Sequence, residues 1–426
     1  MLTKENYQKY VQILKEELVP AMGCTEPVAI AYAGAKAAKV LRETGEEPIS
    51  AVVEVSGNII KNVKSVVVPN TGGLRGIQSA LAAGIAVGNA ESELQVLCDV
   101  CQEDLPKIKA IEKSCPIKVI RSKGKAIFEI AVTLTSKNHT SRVQILDNHT
   151  NVVLVEKDGQ AVYQSSGQTP KMKKDRSCLT VEDIVAFADT VDVADVKCVL
   201  DRQISYNMAI AEEGMKNSYG ANVGKVLYAF APNDIKVKAR AYAAAGSDAR
   251  MNGCELPVII NSGSGNQGIT ASVPVIVYAK ERALVGERLY RALCVSNLIT
   301  IHLKAGIGTL SAYCGVISAG AAAACGIAYL TGGDFKAIAH TLVNALAIDS
   351  GMICDGAKAS CAAKIALAVE SGLLGWNMYQ HGDEFVAGDG IVKKGVEATI
   401  ASVSRLAQDG MDKTDQEIIK IMIEDC

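Results

Sequence analysis

Aromatic side chains make up only 4% of the 426 residues, and tryptophan occurs once. That scarcity argues against stacking platforms for bases or sugars, and the abundance of Ala and Gly points instead to closely packed helices. An excess of charge of one sign is also missing. Forty-four basic residues face 46 acidic ones, for a formal net charge of -2. Such a balance provides neither a field to grip a phosphate backbone nor a polybasic membrane anchor, so no nucleic acid and no membrane is expected as a partner. The opening MLTKENYQKYVQILKEELVP lacks an apolar signal region and reads as a charged amphipathic stretch. With thirteen cysteines, an odd count, this places the chain in a reducing cytoplasm, where thiols stay free, become catalytic or bind metal. A long run of large apolar residues is absent too. Residues 305–333 carry no charge but are mostly Gly, Ala and Ser, with no Lys/Arg bias at the flanks. A buried central helix pair is expected there rather than a membrane span.

Apolar residues recur at helical spacing from Tyr7 to Leu18, and a second helical stretch begins after Pro27, with the loop AMGCTEP between. Residues 48–68 read as short β segments and end in the Gly-containing loop Pro69 to Gly73; an Ala/Gly-rich helix follows. From Pro116 to Gln164 apolar and polar residues alternate between Gly, Asn and Asp turns, which predicts an antiparallel sheet. The polar stretch 164–177 reads as a connection, after which helix resumes with Thr180 as its cap. The expected fold class is therefore α+β. Residues 1–80 and 175–426 are expected to form a mainly helical catalytic body, with an inserted antiparallel α+β domain over 81–174.

The most specific local feature is SGMICDGAKASCAAK, in which Cys354 and Cys361 lie seven apart; Cys314 lies forty residues upstream, beside Gly315. Thiolates are soft ligands for zinc and iron–sulfur clusters, and a cluster held by three cysteines leaves one iron open as a Lewis acid. Small buried apolar residues would give the same pattern, since free cysteine is among the most buried types. Cys98 and Cys101 form a rival C-x-x-C, with Cys115 further on, but the pair has no second C-x-x-C and falls at i and i+3 of an expected helix. Ferredoxin spacing occurs nowhere. Cys24 precedes the helix that starts near Pro27, where the positive end of the helix favours a thiolate, while Glu26 works against it.

The run NSGSGNQG, residues 261–268, lies between two apolar segments. Its backbone N–H groups, with Ser262, Ser264 and Asn266, suit a carboxylate, and the run reads as neither a dinucleotide fingerprint nor a P-loop. PNTGGLRG, with Asn70 and Thr71, is a weaker second example. His149 sits at a turn between strands, His302 and His340 read as core residues, and His381 as a loop residue.

Taken together, MGCTEP near the start, SGSGNQG in the middle, and Cys314, Cys354 and Cys361 toward the end resemble the iron–sulfur L-serine dehydratase alpha-chain superfamily. Within it the L-cysteine desulfidase branch is the most similar. The resemblance spans nearly the whole chain. It implies a 4Fe-4S cluster on Cys314, Cys354 and Cys361, and β-elimination without pyridoxal from a small amino acid. For L-cysteine the products are pyruvate, ammonia and sulfide. It further implies Cys24, Thr25 and Glu26 as catalytic residues, with Asn70, Thr71, His149, Ser262, Ser264 and Asn266 binding substrate. The dehydratases carry Ser-Ser-His-Thr-x-Gly-Pro where this chain has Gly23-Cys24-Thr25-Glu26-Pro27, so Cys24 stands in place of a histidine and favours a thiol substrate. L-Serine dehydration, or a non-catalytic iron–sulfur or amino-acid sensor, are the alternatives. The expected partners are the small amino-acid substrate and a second copy of the chain as a homodimer. Some relatives bring a C-terminal cysteine to the open iron, which marks Cys426 as a residue to locate.

Overall fold

The computed structural model describes residues 2–21, 23, 25–124, 126–165, 175–308 and 311–424. The chain opens with α1 (Lys4–Glu17), the short strand β1 (Pro20–Ala21) and α2 (Thr25–Arg42). Next come β2 (Ser50–Val55), α3 (Gly57–Val63), α4 (Gly76–Val87) and α5 (Leu105–Ser114). Five strands follow: β3 (Ile117–Arg121), β4 (Glu129–Thr135), β5 (Thr140–Leu146), β6 (Val152–Lys157) and β7 (Gln160–Gln164). The remainder is α6 (Val181–Thr190), α7 (Val193–Lys216), α8 (Val223–Phe230), α9 (Ile235–Met251), the two-residue strand β8 (Val258–Ile259), α10 (Gly265–Glu281), α11 (Glu287–Ile307), α12 (Gly315–Leu330), α13 (Phe335–Ile348), α14 (Cys361–His381), α15 (Val396–Arg405) and α16 (Asp412–Glu424). The fold is α+β, as expected.

Two apolar cores organise the chain. One unites α1 with residues from Leu179 to Ala407. Tyr10, Val11, Leu14 and Leu18, the apolar stripe of α1, are buried in it, and Tyr10 meets Phe187 with ring centroids 5.5 Å apart. Thr180 caps α6 by accepting the Asp183 N–H at 3.1 Å. α12 is buried along almost its whole length; residues 305–333 hold the end of α11 and this one helix, where a helix pair was expected. None of the described helices is long and apolar enough to cross a membrane.

The second core runs from Val28 to Ile145. Its sheet has the order β3-β2-β4-β5-β6-β7. Every pair is antiparallel except β2–β3, which is parallel, so the sheet is mixed where a wholly antiparallel one was expected. The link from β2 to β3 contains α3, α4 and α5, and a crossover of that length is what lets two strands run the same way. α2 and α4 cross closely because Gly84 has no side chain: a Cβ there would lie 2.1 Å from the Ala31 carbonyl oxygen. The Ala/Gly composition is thus spent on close helix approach.

Two further sequence expectations are corrected. Residues 48–68 are not β throughout, since GNIIKNV forms α3 after Ser56. Apolar Ile59, Ile60 and Val63 all face the core, a pattern a short buried strand would share. Cys98 and Cys101 are not on a helix but in turns between two short 3-10 segments, and both are exposed.

Candidate functional site

Cys314 and Cys354 are brought together by two chain segments that run side by side. Tyr313 and Ile353 form an antiparallel bridge; the Cys314 N–H donates to the Met352 carbonyl at 3.1 Å, and the Cys354 N–H to the Ala312 carbonyl at 2.6 Å. Cys314 is the N-cap of α12 and Cys361 the first residue of α14, so two positive helix ends converge on the thiols. Between the latter two cysteines, Gly356 turns the chain at φ +94° with Lys61 against it, and Cys361 Sγ donates to the Gly356 carbonyl at 3.5 Å. Cys314 is buried, while Cys354 and Cys361 are half-buried.

Lysines surround this triad. Lys61 and Lys304 are 2% and 7% exposed, and their burial beside sulfur was not foreseen from the sequence. Lys61 Nζ pairs with Asp415 at 2.5 Å, so α16 is fastened over α3. Lys358 and Lys364 both pair with Asp355 and attract charge on Cys361. The Cys354 thiol is held below its ordinary range, first by the hydrogen bond from Cys314 and then by Lys61 and Lys304. Cys314, as the donor of that bond, is pushed up, with burial adding to the rise. Burial lowers Lys304 to about 8, against the pull of Cys354 and Cys314. Among the described residues no three His, Cys, Asp or Glu side chains close on a single-ion site. A donor set of three neighbouring thiols, two helix N-termini and four ammonium groups does suit a thiolate-held iron–sulfur cluster, whose thiolates bring negative charge that the lysines and helix ends offset.

A second group meets α3 at the residue after Lys61. Asn62, next to Lys61, donates from Nδ2 to Glu26 Oε1 at 3.2 Å, and Thr25 Oγ1 donates to Glu26 Oε2 at 3.3 Å. His149 stands within electrostatic reach of Glu26. Its ring packs edge-on against Phe128 with centroids 4.7 Å apart, and its Nε2 is buried without a partner among the described residues. Burial holds His149 below the ordinary histidine range, with Glu26 pulling the other way. The adjacent Thr25 and Glu26 are thus brought within electrostatic reach of His149, far along the chain. Cys24 and Cys426 lie outside the described residues. Of the apolar residues near the C-terminus, Ile418 and Ile419 are buried and Ile421 is exposed.

The loop 261–268 contributes unevenly. Ser262 Oγ donates to Asn261 Oδ1 at 2.8 Å, Ser264 caps α10 through a long 3.5 Å bond from the Gln267 N–H, and Asn266 Oδ1 accepts from Arg250 at 3.2 Å. Beneath it Asn261 donates to Asn297 Oδ1 at 2.9 Å, which fixes the loop on α11. Gly263, Gly265 and Gly268 do have G-x-G-x-x-G spacing, but the preceding strand β8 has two residues and, among the described residues, pairs only with β1; the parallel sheet of a dinucleotide fold is not built around it. Gln267 packs on Gly315, where a Cβ would meet its amide at 2.8 Å, so the loop touches the cysteine site. Asn70 and Thr71 are turned inward on their own neighbourhood: the Asn70 amide donates to the Leu97 carbonyl at 2.8 Å and the Thr71 hydroxyl to the Val68 carbonyl at 2.7 Å. Pro69 of that loop abuts Gly23. His302 and His340 pair with Glu397 and Glu384, and His381 ends α14 rather than lying in a loop.

Arg250, like Lys61 and Lys304, is not singled out by the sequence pattern. It lies at the end of α9, is 9% exposed, and donates from Nη2 to the Gly23 carbonyl at 2.8 Å. A charge following the apolar Ala/Gly face of α9 was the available signal.

Hollows exist elsewhere, one of about 750 Å³ lined by His302, Glu397 and Arg176 among others, but the cysteines are not part of its wall. The chain is similar over nearly its full length to three bacterial proteins called UPF0597 proteins. That of Desulfitobacterium hafniense is 56% identical over 99% of this chain and 97% of its own. The one from Lachnoclostridium phytofermentans is 48% identical over 98% and 100%, and the one from Treponema denticola 46% over 100% of both. The sequence model described as serine dehydratase alpha chain matches residues 91–420, a span that includes all three cysteines, His149, Arg250 and the 261–268 loop. With the triad assembled and that match across it, the chain belongs to the serine dehydratase alpha chain family.

Proposed function

We propose that this protein is an iron–sulfur-dependent lyase that eliminates sulfide from L-cysteine, giving pyruvate and ammonia. Membership in the serine dehydratase alpha chain family points to a lyase. The observation that carries the finer reading is the meeting of Cys314, Cys354 and Cys361 at two helix N-termini among four lysines. Those three residues would hold the cluster. When bound, it supplies an iron without a protein ligand, a Lewis acid for the departing group. Elimination also needs a positioned base, because an α-proton is weakly acidic. Cys24 and Glu26 supply candidate bases, with Asn62 orienting the Glu26 carboxylate and His149 beside it. Loss of the α-proton and the β-thiol leaves 2-aminoacrylate, whose imine tautomer takes up water to release ammonia and pyruvate. The backbone of the 261–268 loop, with Ser262, Ser264 and Asn266, is proposed to hold the substrate.

The family match favours a second reading, dehydration of L-serine at the same site. Anaerobically reconstituted protein, supplied with L-cysteine and L-serine in turn, separates the two. Sulfide with pyruvate supports the first and pyruvate from serine alone the second. A cluster that forms while neither amino acid is consumed would make the protein a sensor.

A further inference from the structure

We propose that Arg250 receives the substrate's α-carboxylate and that Gln267 Oε1 accepts a hydrogen bond from its ammonium group; the proposal rests on the reading of the protein as an amino-acid lyase. Arg250 is nine-tenths buried, yet among the described residues no carboxylate pairs with it. A buried guanidinium without a counter-anion is costly, and a site that keeps one is complete only when an anion arrives. Its known contacts are all to neutral groups. Nη1 donates to Asn266 Oδ1 at 3.2 Å and faces Met251 Sδ at 4.0 Å; Nη2 donates to the Gly23 carbonyl at 2.8 Å. Among the described residues Nε is buried with no partner. Arginine has five donors, so Nε and one Nη2 hydrogen are left over, the number a carboxylate uses in a two-pronged contact.

The guanidinium lies against the first residue of α10. A Cβ on Gly265 would stand 2.3 Å from Nε and 2.7 Å from Cζ, so glycine is what allows Arg250 to reach the positive end of that helix, itself favourable to an anion. Two residues along α10, Gln267 is 5% exposed, and its Oε1 is buried without a partner among the described residues. The same side chain packs on Gly315, next to Cys314. Unused donors at Arg250 and an unused acceptor at Gln267 form the complement of an α-amino-acid zwitterion. Between them they connect Gly23, the neighbour of Cys24, to the cysteine triad.

The test uses the anaerobically purified holoprotein and L-alanine, which carries both charged groups but no β leaving group. Binding is measured by calorimetry, with cysteamine, which lacks the carboxylate, as the comparison. Arg250→Gln should weaken L-alanine by about 10- to 100-fold, the loss expected for one charged hydrogen-bonding group. It should leave cysteamine unaffected and raise KM for L-cysteine more than it lowers kcat, with the visible absorption of the cluster retained. Arg250→Lys keeps the charge and loses the planar fork, so it should bind L-alanine more weakly than wild type while folding normally, and it decides the matter if the glutamine variant does not fold. L-Alanine affinity unchanged in a folded variant overturns the role of Arg250 and leaves the lyase reading standing. A wild-type protein that binds no α-amino acid and eliminates none overturns that reading, and this inference with it.

Discussion

The carbonyl oxygen of Lys61 lies directly against Gly356: a Cβ built on that glycine would be 1.9 Å away. The contact joins α3, from the sheet-bearing half of the chain, to the turn between Cys354 and Cys361. No side chain fits there, and at φ +94° an L-residue is strained in any case.

Gly356→Ala should therefore lower unfolding stability by more than about 2 kcal/mol, since the left-handed conformation alone costs about 1–2 kcal/mol for a residue with a Cβ. Reconstituted iron content should fall with it. Gly351→Ala, five residues earlier, meets nothing within 4 Å and should behave as wild type in chemical unfolding and in iron content. Equal behaviour of the two variants would show that the turn tolerates a shift of α3.

Replacing Cys314, Cys354 or Cys361 by serine should abolish the visible absorption of the reconstituted protein and most activity. Cys98→Ser and Cys101→Ser should leave both nearly intact, because those thiols are exposed and Cys101 Sγ is already donating to Asp104 at 3.3 Å. Absorption that survives the first set and is lost in the second would reverse the assignment.

Cys24→Ser and Glu26→Gln should each retain the cluster while turnover drops by about 10²- to 10⁴-fold, the range for loss of a positioned base. Near neutral pH a hydroxyl or an amide accepts a proton far less readily than the thiolate or carboxylate it replaces. Wild-type turnover in either variant would remove that residue from proton transfer.

Asp248 supplies a pH dependence away from the cysteines. It is 1% exposed. Its Oδ2 accepts the Gly224 N–H at 2.9 Å while Oδ1 has no partner among the described residues, and burial raises its carboxyl to about 6. The folded protein thus binds this proton more tightly than the unfolded chain does. The group's contribution to stability falls as pH rises from about 4 to about 6, and is level above. In urea unfolding, Asp248→Asn should gain on wild type over that interval by at most about 3 kcal/mol. A difference that stays constant with pH would mean that Asp248 is ionised throughout.

Much of the architecture was legible along the chain because it rests on local periodicity. The α1 stripe from Tyr10 to Leu18, the Thr180 cap and the alternation through 116–164 are short-range signals, and each specifies which face of an element is apolar. The pairing of Cys354 with Cys361 is also near-range, and the family resemblance added Cys314. Which apolar face meets which is a different matter. GNIIKNV satisfies a short strand as well as a helix, and what favours α3 in the fold is its seat under α16, where a Cβ on Gly57 would collide with Ile419 and Asp415 pairs with Lys61 across 354 positions. Contacts over such separations leave no trace in a local pattern. For the same reason the sequence alone named cysteines and a glycine loop, while the burial of Lys61, Lys304 and Arg250 beside them was decided only by the tertiary structure, which sets the cost of each buried charge and therefore what each must face.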